Sequence, residues 1–237
     1  MKIATRQISR IFSRLAVRYD RLNDVISLGT HRWVKREAAR RCGAKPGAAA
    51  LDLAGGTGDL AFLLSQAAGP GGRVAVADIN DDMMRVGRRR AEARRLASRI
   101  DWIRADAERL PFPGAAFDIV AIGFGIRNFA DKPACLREIR RILKPGGRLV
   151  VVEFSRPPGH LAARGHRIYL RVFLPLVGRF LAKDAAGYRY LARSIMHHPG
   201  QDALRAMMER AGFAACRYRN LLAGAVAIHE GVRPEKG

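Results

Sequence analysis

The 237-residue chain predicts a single α/β domain built on a doubly wound, largely parallel sheet, and three features carry that prediction. Short apolar runs alternate with amphipathic helical stretches from residue 48 to residue 155. The first of these runs ends in a glycine-rich turn that opens a helix. At the end of the chain, FAACRYRN and AGAVAIHEG read as two strands joined by a short turn. That hairpin would close the sheet at seven strands, the last of them antiparallel.

Taken in order, residues 5–42 read as helices. Ile8, Ile11, Phe12 and Leu15 recur at helical spacing, and Trp33 continues an apolar face among basic residues. Cys42-Gly43 and Pro46-Gly47 stop that helix and open a turn. AAALDLA is the first strand, and a helix follows from about Asp59 to Ala68. The turn GPGG leads into the strand RVAVAD, and then into the helix DDMMRVGRRRAEARRLA, with Asp81 or Asp82 near its N-terminus. IDWIRAD and FDIVAIGF are the third and fourth strands. Pro133 starts a helix that ends near Leu143, and KPGG turns into the fifth strand, RLVVVEF. A helical stretch follows at about 160–182, which Pro175 must kink or split, then YRYLARSI and the amphipathic helix QDALRAMMERAG before the hairpin. The expected division is a helical lid at 1–45, a ligand-binding core at 46–155, and substrate-side helices with the hairpin at 156–237.

Charge is the outstanding bulk property. Lys and Arg total 43 against 21 Asp and Glu, a net of +22, which favours anionic surfaces such as a membrane face or nucleic acid. There is no RNP-type motif and no aromatic run suited to base stacking, so nucleic acid is not the expected partner. Cys42, Cys135 and Cys216 stand far apart without a CxxC pair, so neither a disulfide framework nor a metal site is expected, and a reducing cytoplasm fits. The N-terminus is basic but has no apolar core of the secretory kind. Residues 168–182 carry Arg171 and Arg179 and are too short and too charged to span a bilayer. The expected location is the cytoplasm, peripheral at the inner face of the membrane.

The strongest local signal is Leu51-Asp52-Leu53-Ala54-Gly55-Gly56-Thr57-Gly58-Asp59. Gly56, Gly58 and Ala61 match the G-x-G-x-x-A pattern of dinucleotide sites. However, a dinucleotide places a diphosphate over such a loop, and Asp52 and Asp59 would repel it. S-adenosylmethionine has no phosphate; it carries a sulfonium and an ammonium group, which carboxylates attract. Asp78, followed by Ile79, ends the second strand and can accept hydrogen bonds from both ribose hydroxyls, a role that either ligand requires. Asp106-Ala107 follows the third strand, where an adenine edge would lie.

These residues belong to a longer pattern. YDRLNDVISLGTHRWVKR, LDLAGGTGDLA, ADIN, ADAERLPFP, FGIRNFADKPACLREIRRILKPGGRLVVVEFSRP, YRYLARSI and GAVAIHEG occur in that order. The sequence resembles the ubiquinone/menaquinone biosynthesis C-methyltransferases over nearly its whole length. LDLAGGTGDL and KPGGRL are generic to methyltransferases, whereas FGIRNF and VAIHEG are far more specific. The resemblance implies the Rossmann-like sheet of class I methyltransferases and S-adenosylmethionine as cofactor, held by Thr57, Asp78, Asp106 and Ala107. The loop residues Asp52, Gly55, Gly56 and Gly58, with Ile79, are expected beside them. The family usually has a serine before FG, where this chain has Gly123, a departure that removes one hydroxyl.

The implied substrate is a polyprenylated quinol in menaquinone and/or ubiquinone biosynthesis, and a homodimer is compatible with the resemblance. The rival acceptor is another phenolic small molecule. Methylating a ring carbon needs a stabilised phenolate and an acceptor for the ring proton. Arg127 and Asn128, after the fourth strand, are candidates for holding the phenolate and a hydroxyl; the alternative for Arg127 is an ion pair with a carboxylate such as Glu153. Tyr19, Asp20, Asn23 and His31 lie on the lid segment, with His31 the natural titrating base and Tyr19 a proton relay. Tyr19 and Asp20 have a second reading, as fasteners of the lid helix. His229 is expected to be structural. IYLRVFLPLVGRFLA, with Arg167, Arg171 and Arg179, reads as an interfacial helix, a wall for the substrate tail, or core packing.

Overall fold

The strands of the chain are β1 (Ala49–Leu53), β2 (Arg73–Asp78), β3 (Ile100–Arg104), β4 (Phe117–Gly123), β5 (Leu143–Phe154), β6 (Ala214–Leu221) and β7 (Val226–Val232). They form one seven-stranded sheet in the order β3-β2-β1-β4-β5-β7-β6. Pairs among β1–β5 are parallel, and β7 runs antiparallel to both β5 and β6. The computed structural model describes residue 13, residues 19–176 and residues 185–235. Ile8, Ile11, Phe12, Leu15 and Arg179 lie outside the described residues.

The pleat divides the central strands between two cores. On one face, Ala50, Val76, Ala121, Val150 and Val152 pack against Val34, Ala38, Leu60 and Leu64. On the other, Leu51, Leu53, Val120, Ile122 and Val151 pack against Leu136, Ile139, Ile142 and Leu204. Burial on both faces is why these strands read as continuous apolar runs and not as alternating ones.

The helices are α1 (Tyr19–Ser27), α2 (Thr30–Cys42), α3 (Asp59–Ala68), α4 (Asp81–Ala93), α5 (Lys132–Ile142), α6 (His160–Ile168), α7 (Ala185–His197) and α8 (Gln201–Arg210). Leu28 and Gly29 separate α1 from α2, both in the left-handed region at φ 49° and 74°. Gly43 ends α2 with its N–H on the Arg40 carbonyl, as the sequence predicts. Asn80 caps α4, its Oδ1 accepting from the Met83 N–H at 3.0 Å, and Asp81 and Asp82 lie in the first turn as expected. Helix α4 stops at Ala93, short of the predicted Ala97, because Arg95 turns to φ 57°. Asp131 caps α5, and Pro133 sits in its first turn.

Two other elements differ from expectation. Strand β5 begins at Leu143, and KPGG is a bulge inside it: Phe117 pairs with Leu143, but Ile119 pairs with Arg148. Lys144 fastens the bulge by donating to Asp118 at 2.8 Å. The stretch from 160 is not one regular helix. It passes from α6 into a π-helical turn at Tyr169–Phe173, just ahead of Pro175, which has no N–H to offer the Arg171 carbonyl. Among the described residues no helix is long and apolar enough to cross a membrane, and no His/Cys/Asp/Glu group could hold a metal ion.

Candidate functional site

Strand order reverses between β1 and β4, so the helices that follow them leave on opposite faces of the sheet and open a crevice at the carboxyl ends of those strands. A cleft of about 1090 Å³ occupies it. Asp52, Gly55, Gly56, Thr57, Asp78, Ile79, Asp106, Ala107 and Gly123 all line this cleft. Gly58 does not. It caps α3 at φ 82°, and a Cβ there would lie 2.6 Å from the Trp102 ring. Its glycine serves the turn and the packing of Trp102, not the cleft.

The loop conformation follows from two carboxylates. Asp78 Oδ2 accepts from the Gly56 N–H at 2.9 Å, and its Oδ1 accepts from the Asn80 N–H at 2.8 Å. Asp52 Oδ2 accepts from the Ala61 N–H at 2.9 Å. Gly55 is required because a Cβ there would stand 2.6 Å from the Asp52 carboxyl carbon. Asp52 Oδ1 is buried and has no hydrogen-bond partner among the described residues. Burial pushes the Asp52 carboxyl up to about 7, with only partial relief from the Ala61 N–H and Lys35. Burial also raises Asp78.

Asp59 behaves differently from the sequence expectation. Lys35 Nζ and Arg90 Nη2 both reach it at 2.6 Å. Burial would raise its carboxyl, but these two cations outweigh that and hold it below the usual carboxylate range. Its charge is therefore spent within the protein, and the electrostatic preference of the cleft rests on Asp52 and Asp78.

A second cavity of about 1400 Å³ adjoins the first, and Lys35 and Phe124 line both. Its walls are chiefly apolar (Ile26, Val34, Phe154, Leu191 and Val226 among them), with His31, Arg127 and Tyr190 as the polar groups that matter here. Phe124 holds φ 57° at the seam, with its ring 4.9 Å from that of Phe154. A bulky residue in the left-handed region is strained, and such strain gathers at functional sites.

Arg127 takes the alternative foreseen for it. Its Nη1 lies 2.8 Å from Glu153 Oε1, with side-chain exposures of 3% and 0%. The same nitrogen donates to the Phe124 carbonyl, and the Arg127 N–H reaches Glu153 Oε2 at 3.2 Å. Its buried Nε has no partner among the described residues. Asn128 lines the first cleft, and its Oδ1 accepts from the Tyr190 hydroxyl at 2.8 Å. His31 sits on α2 one turn before Lys35, its Nδ1 2.8 Å from Ser27 Oγ. Burial, with Lys35, lowers the pKa of the His31 imidazole. Tyr19 and Asp20 open α1, but their side chains lie outside the described residues. His229 is buried on β7 with Nε2 on the Gln201 carbonyl, away from both cavities.

A family model described as the ubiE/COQ5 methyltransferase family matches residues 1–233. The chain belongs to that family. It is 46% identical over 229 residues to the ubiquinone/menaquinone biosynthesis C-methyltransferase UbiE of Pseudomonas putida, covering 97% of this chain and 90% of that protein. The enzyme of the same name from Hahella chejuensis is 46% identical over 226 residues, covering 95% and 91%. Among solved structures, a SAM-dependent methyltransferase from Thermotoga maritima aligns with a TM-score of 0.67 at 18% identity, covering 95% of this chain and 99% of that one. One from Aquifex aeolicus aligns with a TM-score of 0.61 at 15% identity, covering 84% and 88%. These distant structures share the class I fold predicted from the sequence.

This family member is therefore an S-adenosylmethionine-dependent methyltransferase. Its cleft suits that cofactor: among the described residues a buried carboxylate oxygen of Asp52 has no hydrogen-bond partner, and the one basic side chain lining the cleft, Lys35, is already on Asp59. Sequence reasoning missed Lys35, Leu60, Ser27, Phe124 and Tyr190. Lys35 and Ser27 stand one turn either side of His31, and Tyr190 lies inside the family segment YRYLARSI. Leu60 is the neighbour of Gly123: a Cβ at 123 would meet its Cδ1, the free end of the side chain, at 2.9 Å.

Proposed function

We propose that the chain transfers a methyl group from S-adenosylmethionine to a ring carbon of a polyprenylated quinol, in menaquinone and/or ubiquinone biosynthesis. The observation that carries this reading is the meeting of a carboxylate-lined cleft and a chiefly apolar cavity at Lys35 and Phe124. Asp52 Oδ1 would face the cofactor's positive groups, Asp78 its ribose, and Thr57, Ile79, Asp106 and Ala107 its remaining edges, with Gly55, Gly56 and Gly123 leaving room. When bound, S-adenosylmethionine would supply the electrophilic methyl group.

The chain's own residues prepare the acceptor ring. Arg127 is charge-balanced by Glu153, so it offers the substrate a fixed N–H donor more than a net field. Tyr190 and Asn128 form a hydrogen-bonded pair across the two cavities and orient a ring hydroxyl. His31 accepts the proton that the ring carbon must lose. Helix α1 acts as a lid carried on α2, whose Val34 and Ala38 belong to the core and whose Lys35 is tied to Asp59.

The tail leaves the apolar cavity between Leu28 and Leu222, both lining it, with Leu28 87% exposed. Leu161, Ile168, Val172 and Leu176 continue the exposed apolar surface along α6 and the π turn, among Arg164, Arg167 and Arg171. That composition supports peripheral docking on an anionic membrane. The test is methyl transfer from labelled S-adenosylmethionine to a demethylmenaquinol and, separately, to a methoxy-polyprenyl-benzoquinol, with product masses recorded. Transfer to carbon on either ring is expected and names the pathway. Cofactor binding with transfer to neither would overturn the substrate reading.

A further inference from the structure

We infer that Ser27 is a positioning residue for His31, holding its imidazole as the Nδ1–H tautomer so that Nε2 keeps its lone pair for the substrate cavity. This inference rests on the quinol-methylation reading, in which His31 takes the ring proton.

The tautomer follows from counting protons. Ser27 Oγ lies 2.6 Å from the Asn23 carbonyl oxygen, which can only accept, so the hydroxyl spends its one proton there. The same oxygen lies 2.8 Å from His31 Nδ1. Ser27 has no second proton to give, so Nδ1 must be the donor. Asp24 Oδ1, 3.7 Å from the same nitrogen, adds negative charge on that side without a hydrogen bond. Asp24 stays ionised because the Arg32 guanidinium holds its carboxyl low. The backbone makes this possible. The left-handed pair Leu28 and Gly29 turns α1 into α2, and Thr30 Oγ1 returns to the Ser27 carbonyl at 2.6 Å. Ser27 thus ends one helix directly beside His31 in the first turn of the next.

The proton balance then closes. The ring carbon gains its methyl group as the S–CH3 bond breaks, leaving S-adenosylhomocysteine. Its C–H bond then breaks and the electron pair returns to the ring, while the hydroxyl proton given up to form the phenolate is regained from water, so that one proton is released per transfer. The ring-carbon proton goes to His31 Nε2, and the resulting imidazolium lies beside Asp24 before passing the proton to water. Among the described residues, the charged and titratable groups around His31 are Asp24 on α1, Arg32 and Lys35 on its own helix, Asp59 on α3, and Arg127, His166, Tyr169, Tyr188 and Tyr190 across the cavity. Burial and Lys35 keep the ring neutral near pH 7, the state that can accept a proton.

The test uses the full chain labelled with ¹⁵N-histidine, with long-range ¹H–¹⁵N spectra read above the His31 pKa. A wild-type His31 signature of the Nδ1–H tautomer is expected. Ser27→Ala should mix the tautomers and lower kcat about tenfold to a hundredfold, while KM and cofactor affinity stay within about twofold. Ser27→Thr should restore both readings. An Nε2–H signature in the wild type, or an unchanged signature in Ser27→Ala, overturns the positioning role. Full turnover in a folded His31→Gln chain with the tautomer signature intact in wild type overturns the proton-acceptor role instead, and so separates the two claims.

Discussion

The Tyr190 hydroxyl donates to Asn128 Oδ1 at 2.8 Å, and the two residues belong to different cavities. Asn128 lines the cofactor cleft and Tyr190 the apolar cavity. Burial raises the Tyr190 phenol, so at neutral pH it remains a hydrogen-bond donor. Tyr190→Phe should keep the ring's packing and the cofactor affinity but lower kcat at least about tenfold, the scale of one lost positioned hydrogen bond. Stopped turnover together with lost cofactor binding would instead place the pair in the cofactor site; calorimetry beside a steady-state assay separates the two.

The Arg127–Glu153 pair makes single substitutions ambiguous unless both partners are changed. Arg127→Met or Glu153→Leu alone should cost about 3–5 kcal/mol, because each leaves a buried charge unpaired. The double variant should recover most of that in urea unfolding and still fail to turn over, since the N–H donor is gone. Turnover in the refolded double variant would assign the pair to the fold alone.

Asp52 gives the protein a pH dependence with a definite sign. Its folded value of about 7 lies above the ordinary value of an unfolded aspartate. Between about pH 4 and pH 7 the folded chain retains a proton that the unfolded chain has released, so stability falls as pH rises through that window and is level above it. A cationic cofactor favours the carboxylate, so binding at pH 6 should release about one proton and tighten towards pH 8. Calorimetry in two buffers of different ionisation enthalpy measures that proton. Asp52→Asn should abolish both its release and the pH trend.

Gly123 and Leu60 should behave as a coupled pair. Gly123→Ser pushes a Cβ to 2.9 Å from Leu60 Cδ1. The single substitution should cost about 1–3 kcal/mol of stability and not improve cofactor affinity. Combined with Leu60→Val, the serine gains room to turn its hydroxyl into the cleft, and Kd for S-adenosylmethionine should fall below that of Leu60→Val alone. Equal affinities in these two variants would show that position 123 acts only by packing.

Much of this protein was legible in its sequence because the relevant physics is local. Apolar runs buried on both faces, the glycine turn after Leu53 and the hairpin at the end of the chain each follow from residues adjacent in sequence, and the seven-stranded sheet bears them out. The glycine loop and the carboxylates at the ends of β1 and β2 and just after β3 reach one cleft because every parallel strand delivers its carboxyl end to the same edge. The tertiary structure alone decided what depends on partners distant in sequence. Arg127 meets Glu153 across 26 positions, Lys35 meets Asp59 across 24, and Tyr190 meets Asn128 across 62. A formal charge such as that of Asp59 can be read from composition, but whether it is spent inside the protein or left for a ligand is set by which cations the fold brings within about 4 Å of it.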